Sequence, residues 1–137
     1  MESLGQWRYA VDRAATQAAY AVAPLYDCQC IWCRNFALAQ TSVFPPEFLA
    51  LLNQLGIDPL KLAEVYEAGG RYCGWHHYVG EIELGDSGGG TLELAPEFSV
   101  FMGPSRGEPS TINAEKLVLL EFYTNNVPWL LDEPDPG

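Results

Sequence analysis

"AEVYEAGGRYCGWHHYVGEIEL", residues 63–84, decides the fold. Two β-prone runs flank Gly69-Gly70, and a glycine pair in that setting is a hairpin signal. Side chains alternate along a strand, so Cys73, Trp75 and His77 should share one face while His76 points to the other. Glu81 and Glu83 alternate with Ile82 and Leu84, which reads as a solvated strand face rather than a catalytic pair of carboxylates.

Working downstream, "TLELAPEFSVFMG" (91–103) gives one or two strands, and "GPSRGEPSTINA" (103–114) is loop. "KLVLLEFY" (116–123) is apolar at Leu117, Val118, Leu119, Leu120 and Phe122. Such a run predicts a central strand, covered either on both faces or on one face with a second copy over the other. Phe98, Phe101, Tyr78, Trp75, Phe122 and Trp129 read as sheet core, because aromatics dominate cores. The ending "DEPDPG" (132–137) is acidic and Pro-rich, and is expected to fray.

Upstream the texture is helical. Asp12 is placed to cap "RAATQAAYAV" (13–22), Pro24 stops it, and Ala14, Ala15, Ala18 and Val22 fall along one face. "CIWCRNFALAQ" (30–40) predicts a second helix, with Ile31, Phe36 and Leu38 as core candidates. "FPPEFLALLNQLG" (44–56) predicts a third, with Pro46 in its first turn, Gly56 ending it, and Phe48, Leu51, Leu52 and Leu55 along one side. Helices first and strands second specify an α+β fold: N-terminal helices packed on an antiparallel sheet formed by the C-terminal half. The 137 residues form a single domain, long enough to bury a core without obligatory staples.

Net charge is −11, divided as −2 over residues 1–60 and −9 over residues 61–137. An acidic surface repels phosphate backbones and anionic lipid, which argues against nucleic acid and membrane and leaves a basic protein partner compatible. No segment has the roughly 18 consecutive apolar residues of a membrane span. "AATQAAYAVAP" (14–24) lacks the basic start and Leu-rich centre of a secretory signal. The expected compartment is the cytoplasm, where thiols stay reduced.

That compartment bears on "YDCQCIWCRNF" (26–36), which holds three of the four cysteines. Three readings stand. Cys28, Cys30 and Cys33 supply three thiolates for zinc, which wants a fourth ligand, and His77 is favoured over Cys73 for that place because Cys73 behaves equally well as a small buried hydrophobe. Cys30 and Cys33 form a C-x-x-C pair at a helix start, as in thiol redox enzymes, although no β-strand leads into it and Asp27 opposes thiolate formation. The third reading is plain packing by reduced thiols. An extended backbone would hold Cys28 and Cys30 roughly 7 Å apart, so a metal site needs a tighter path there. "GDSGG", Gly85 to Gly89, resembles the nucleophile loop of trypsin-like proteases, but His76 and His77 sit in the adjoining hairpin and no Asp other than Asp86 itself lies between them and Ser87, so turn chemistry accounts for it.

Four motifs then stand together: "DCQCIWCRNF", "PPEFLALLNQLGIDPLKLAEVYE", "GWHHYVG" and "VPWLLDEP". They resemble a small uncharacterised bacterial family with a C-x-C-x-x-C-R/K-N-F block, an L-G-I-D-P segment, a G-W-x-H-x-V-G strand and a P-W-x-L-D-E-P ending. The resemblance spans about Tyr9 to Pro134 and implies no activity. The family pattern has glycine where this chain has Cys73, which sets a shared role for Cys73 aside. The expected function is a non-catalytic soluble binding or protein-interaction module; Cys28, Cys30, Cys33 and His77 are its candidate zinc ligands, with packing by reduced thiols left open beside that reading. The alternative is a thiol-dependent redox enzyme using Cys30 and Cys33.

Overall fold

Gly69 and Gly70 both take positive φ, 63° and 85°. That is the two-residue turn whose twist matches paired antiparallel strands. In the computed structural model, which describes residues 1–83 and 90–136, this turn joins Glu64–Ala68 (β3) to Arg71–Ile82 (β4), with Ala68 opposite Arg71. The "GDSGG" stretch lies outside the described residues.

The fold is α+β. Three helices, Arg13–Ala21 (α1), Ile31–Val43 (α2) and Pro46–Leu55 (α3), lie in the N-terminal half. Among the described residues the sheet has seven antiparallel strands in the order β1-β2-β4-β7-β6-β5, with β3 also on β4. The remaining strands are Glu2–Leu4 (β1), Trp7–Val11 (β2), Leu92–Ala95 (β5), Phe98–Pro104 (β6) and Leu117–Thr124 (β7). The sheet therefore draws two strands from the N-terminus as well as from the C-terminal half. Sequence reading missed this hairpin because its strands are short and β1 is polar. No described helix is long and apolar enough to cross a membrane.

The helices cover one face of the sheet. Phe48, Leu51, Leu52 and Leu55 of α3 are buried as expected, whereas Leu38 of α2 is 56 % exposed and only Phe36 of the predicted α2 face is fully buried. Phe36 stacks on Tyr72 and Phe122, and Phe98 stacks on Phe122. Gly74 makes room for this cluster: a Cβ there would lie 2.8 Å from the Phe122 ring. Along β7, Val118, Leu120, Phe122 and Thr124 are buried, and Leu117, Leu119, Glu121 and Tyr123 are half-buried. The strand is central, between β4 and β6, and its second face is only partly covered. The chain itself supplies some cover to that face of the sheet: Trp75 Nε1 donates to Pro109 O at 2.9 Å, and His77 Nε2 meets Glu108 Oε1 at 2.8 Å.

Helix α1 departs from expectation in an informative way. Asp12 caps it, Oδ1 accepting from Ala15 N at 3.0 Å. Its buried residues are Thr16 and Tyr20, not the alanines. β2 pairs with residues 80–82 of β4 and β3 with residues 71–75, which leaves backbone between them unpaired on that edge. Tyr20 fills the gap: its hydroxyl donates to His77 O at 2.7 Å and accepts from His77 N at 3.2 Å. Thr16 Oγ1 accepts from Val79 N at 3.0 Å and donates to Asp12 O at 2.8 Å. Two side chains thus stand in for a strand, because buried backbone polar groups must be paired.

Two predictions follow from these contacts. Tyr20→Phe leaves the His77 N–H and C=O without partners, so chemical denaturation should show a loss of about 2–6 kcal/mol at about 1–3 kcal/mol per orphaned group. A loss within experimental error of zero would show that the gap is satisfied in another way. Along β7, Leu120→Asp should abolish folding and Leu119→Asp should cost less, since only Leu120 is fully buried. Soluble yield and circular dichroism read the ranking, and equal effects would contradict it.

Candidate metal centre

The segment between α1 and α2 has no regular structure, and Tyr26 ties it down. The Tyr26 hydroxyl donates to Glu64 Oε1 at 2.5 Å and to Val65 O at 3.3 Å, both on β3. Beyond it, Gln29 Nε2 donates to Asp27 Oδ1 at 2.5 Å, and Arg34 Nε donates to Gln29 O at 3.1 Å. The path is thus folded back toward the helix it precedes.

Cys30 is the N-cap of α2, with φ −66° and ψ 159°, and its Sγ accepts from Cys33 N at 3.4 Å. A cap side chain reaches over the N3 position, so the C-x-x-C spacing brings these two sulfurs together. Cys33 is buried, with Sγ 3.4 Å from the Tyr26 hydroxyl and 3.7 Å from Val65 O. Cys28 completes the group: the Sγ atoms of Cys28, Cys30 and Cys33 all lie within 4.8 Å of one another. Zinc–sulfur bonds of about 2.3 Å put tetrahedral sulfurs roughly 3.8 Å apart. Contraction by at most about an ångström per pair therefore forms a three-thiolate site.

The structure does not bring His77 to this cluster. Strand alternation places its imidazole on the face turned away from Phe44 and Phe48, the side chains that meet His76. There it is bonded to Glu108, whose carboxyl is held down to about 2 with that bond contributing. Cys73 is buried on the same strand, and burial pushes its thiol up. Among the described residues, the group of close metal-ligating side chains is the three cysteines alone.

Protonation within the cluster is uneven. The Cys28 thiol is drawn down to about 7, mainly by a hydrogen bond from Cys33 and then by the Cys30 backbone. Burial pushes the Cys33 thiol and the Tyr26 hydroxyl well up. Cys28 is thus favoured over Cys33 as the thiolate, stabilised by its protonated neighbour. A cavity of about 190 Å³ adjoins it, lined by Tyr26, Cys28, Cys33 and the apolar Phe36, Leu60 and Leu62. Tyr26 and Glu64 were not foreseen from the sequence. The one available signal was an aromatic two positions before the first cysteine, which many loops share.

At the far side of α2 the chain end is strapped down. Asn35 Nδ2 donates to Pro128 O at 3.0 Å, its Oδ1 accepts from Leu130 N at 2.7 Å, and Arg34 pairs with Glu133 at 2.5 Å. This strap fixes the first turn of α2, and with it Cys33.

In metal-free, reduced protein, alkylation of Cys28 by iodoacetamide should rise with pH through a midpoint of about 7. The sign follows from the depressed value, since the reactive thiolate is already half formed there, against ~8.5 for an unperturbed thiol. Peptide mapping by mass spectrometry isolates Cys28, and a midpoint at or above the unperturbed value would contradict the hydrogen-bonded arrangement. No family model, curated protein or solved structure matches this chain.

Proposed function

We propose that this chain is a small non-catalytic binding module whose Cys28–Cys30–Cys33 cluster holds zinc. The observation that supports this reading is the mutual approach of the three sulfurs within 4.8 Å. Thiolates at that distance repel unless protons or a cation intervene, and a divalent ion neutralises them while linking the 22–30 segment to α2. Sulfur donors select thiophilic ions over magnesium or calcium. The likeness to the bacterial family with the C-x-C-x-x-C block belongs to the same proposal and carries no activity.

A second reading, thiol redox chemistry by Cys30 and Cys33, is favoured by one observation. Cys30 is exposed at a helix N-terminus with its partner one turn on, the arrangement in which a helix dipole activates a thiol. Burial of Cys33 opposes it by holding that thiol protonated.

Elemental analysis of protein made without a metal-affinity tag separates the readings. About one zinc per chain is expected, absent in Cys33→Ser. Chelation should lower the melting temperature, since zinc at a hundredfold over its dissociation constant adds about 2.7 kcal/mol. No zinc, together with four titratable thiols and an unchanged melting temperature after chelation, would leave the cysteines as packing residues.

A further inference from the structure

The three-thiolate site is one ligand short of a closed zinc centre. Among the described residues no fourth histidine, cysteine or carboxylate joins the group. The nearest carboxylates are engaged, Asp27 by the Gln29 amide and Glu64 by the Tyr26 hydroxyl. His76 and His77 are 0 % and 1 % exposed, and both are bonded within the fold, to Pro59 O and Glu108. Neither this chain nor a second copy of it can offer an imidazole without dismantling β4.

What can enter is limited by size and charge. The cavity beside Cys28 and Cys33, about 190 Å³, is smaller than the roughly 300–1,000 Å³ of pockets for drug-sized ligands, so it suits a single ring. Three thiolates with one divalent ion already carry a net negative charge, and Asp27 lines the cavity beside them; the cation in that lining, Arg34, is already paired with Glu133 and bonded to the Gln29 carbonyl. An anionic fourth donor is repelled there, and a neutral nitrogen donor is not. Three cysteines and one imidazole form a stable zinc ligand set.

Resting on the thiolate centre above, we propose that the fourth metal position opens onto this cavity and takes a neutral imidazole from outside the chain. The nitrogen lone pair replaces solvent on the metal, and no proton or electron is transferred. Two sources present that chemistry: a histidine on another protein and a free imidazole compound.

The full-length protein loaded with cobalt(II) tests this through its visible ligand-field bands. N-Methylimidazole should change the spectrum saturably and bind at least about tenfold more tightly than 2-mercaptoethanol at neutral pH, a difference of one decade in dissociation constant. Leu60, on the cavity wall, is 51 % exposed, so Leu60→Trp can fill the space without disturbing the core. That variant should take up cobalt normally and bind N-methylimidazole about tenfold more weakly. A blocked glycyl-histidyl-glycine peptide distinguishes the sources: binding assigns the position to a protein histidine, and binding of the ring alone assigns it to a small molecule. Cobalt uptake without a spectral response to imidazole overturns the inference and leaves the metal reading standing. So does preference for 2-mercaptoethanol, an unaffected Leu60→Trp, or a ligand-free spectrum already altered in Glu64→Gln, which would make Glu64 the fourth ligand. Failure to take up cobalt or zinc at all overturns both.

Discussion

The unpaired stretch on one edge of β4 is the constraint around which the structure is arranged. A strand of twelve residues runs through the sheet, bonded along one edge by β7 and along the other by β3 and β2 in turn. Between those two partners the backbone of His77 and Val79 faces no strand. The Tyr20 and Thr16 hydroxyls supply what a strand would have supplied. The cost of leaving such groups unpaired, about 1–3 kcal/mol each, is comparable with a sizeable share of a domain's net stability. Helix α1 must therefore sit where it does, and the chain leaving it at Ala21 starts from a fixed point.

The position of the cysteine cluster follows from that. β3 is held by β4, so Glu64 and Val65 are fixed acceptors for the Tyr26 hydroxyl. Tyr26 in turn holds the irregular segment against α2, and Asn35 and Arg34 hold the first turns of α2 against the chain end. The exposed Arg34–Glu133 pair contributes little by itself, since surface ion pairs are worth about 0–1 kcal/mol. The buried Asn35, with three backbone partners, carries more of the fastening.

Local chemistry was legible in the sequence, and gap-filling was not. The Gly69-Gly70 turn, the alternation along β4, the Asp12 cap and the apolar side of α3 each depend on neighbours within a few residues, and each is found. The α1 face was misread because the residues buried there are chosen for hydroxyls that reach a strand 57 to 63 positions away. Apolar periodicity cannot report such a role. β1 and β2 were missed for a similar reason: Trp7 and Tyr9 become core through partners far along the chain, Phe101 for one and Tyr78 for the other. At the candidate site, the three cysteines were legible as a group, since cap geometry acts over three residues. His77 was placed on the correct face of its strand, and that face was then joined to the wrong partner. Nothing in the local sequence says that α2 packs on the other side, or that Glu108 waits beyond a loop.

The distribution of order bears on what a metal would do here. The aromatic core of Phe36, Tyr72, Phe98 and Phe122 closes without Cys30, and Cys28 only packs on its margin; both retain solvent contact. A domain of this size does not need a staple to fold. Ion binding would therefore act on the 22–30 segment rather than on the fold as a whole. Cys33 is anchored in the core and Cys30 on a helix end, so two donors are already in place and the ordering cost falls mainly on Cys28 and its neighbours. Such a site binds at modest entropic expense while two of its sulfurs stay in reach of solvent. That combination suits a centre that meets an external ligand better than one that only holds the chain together.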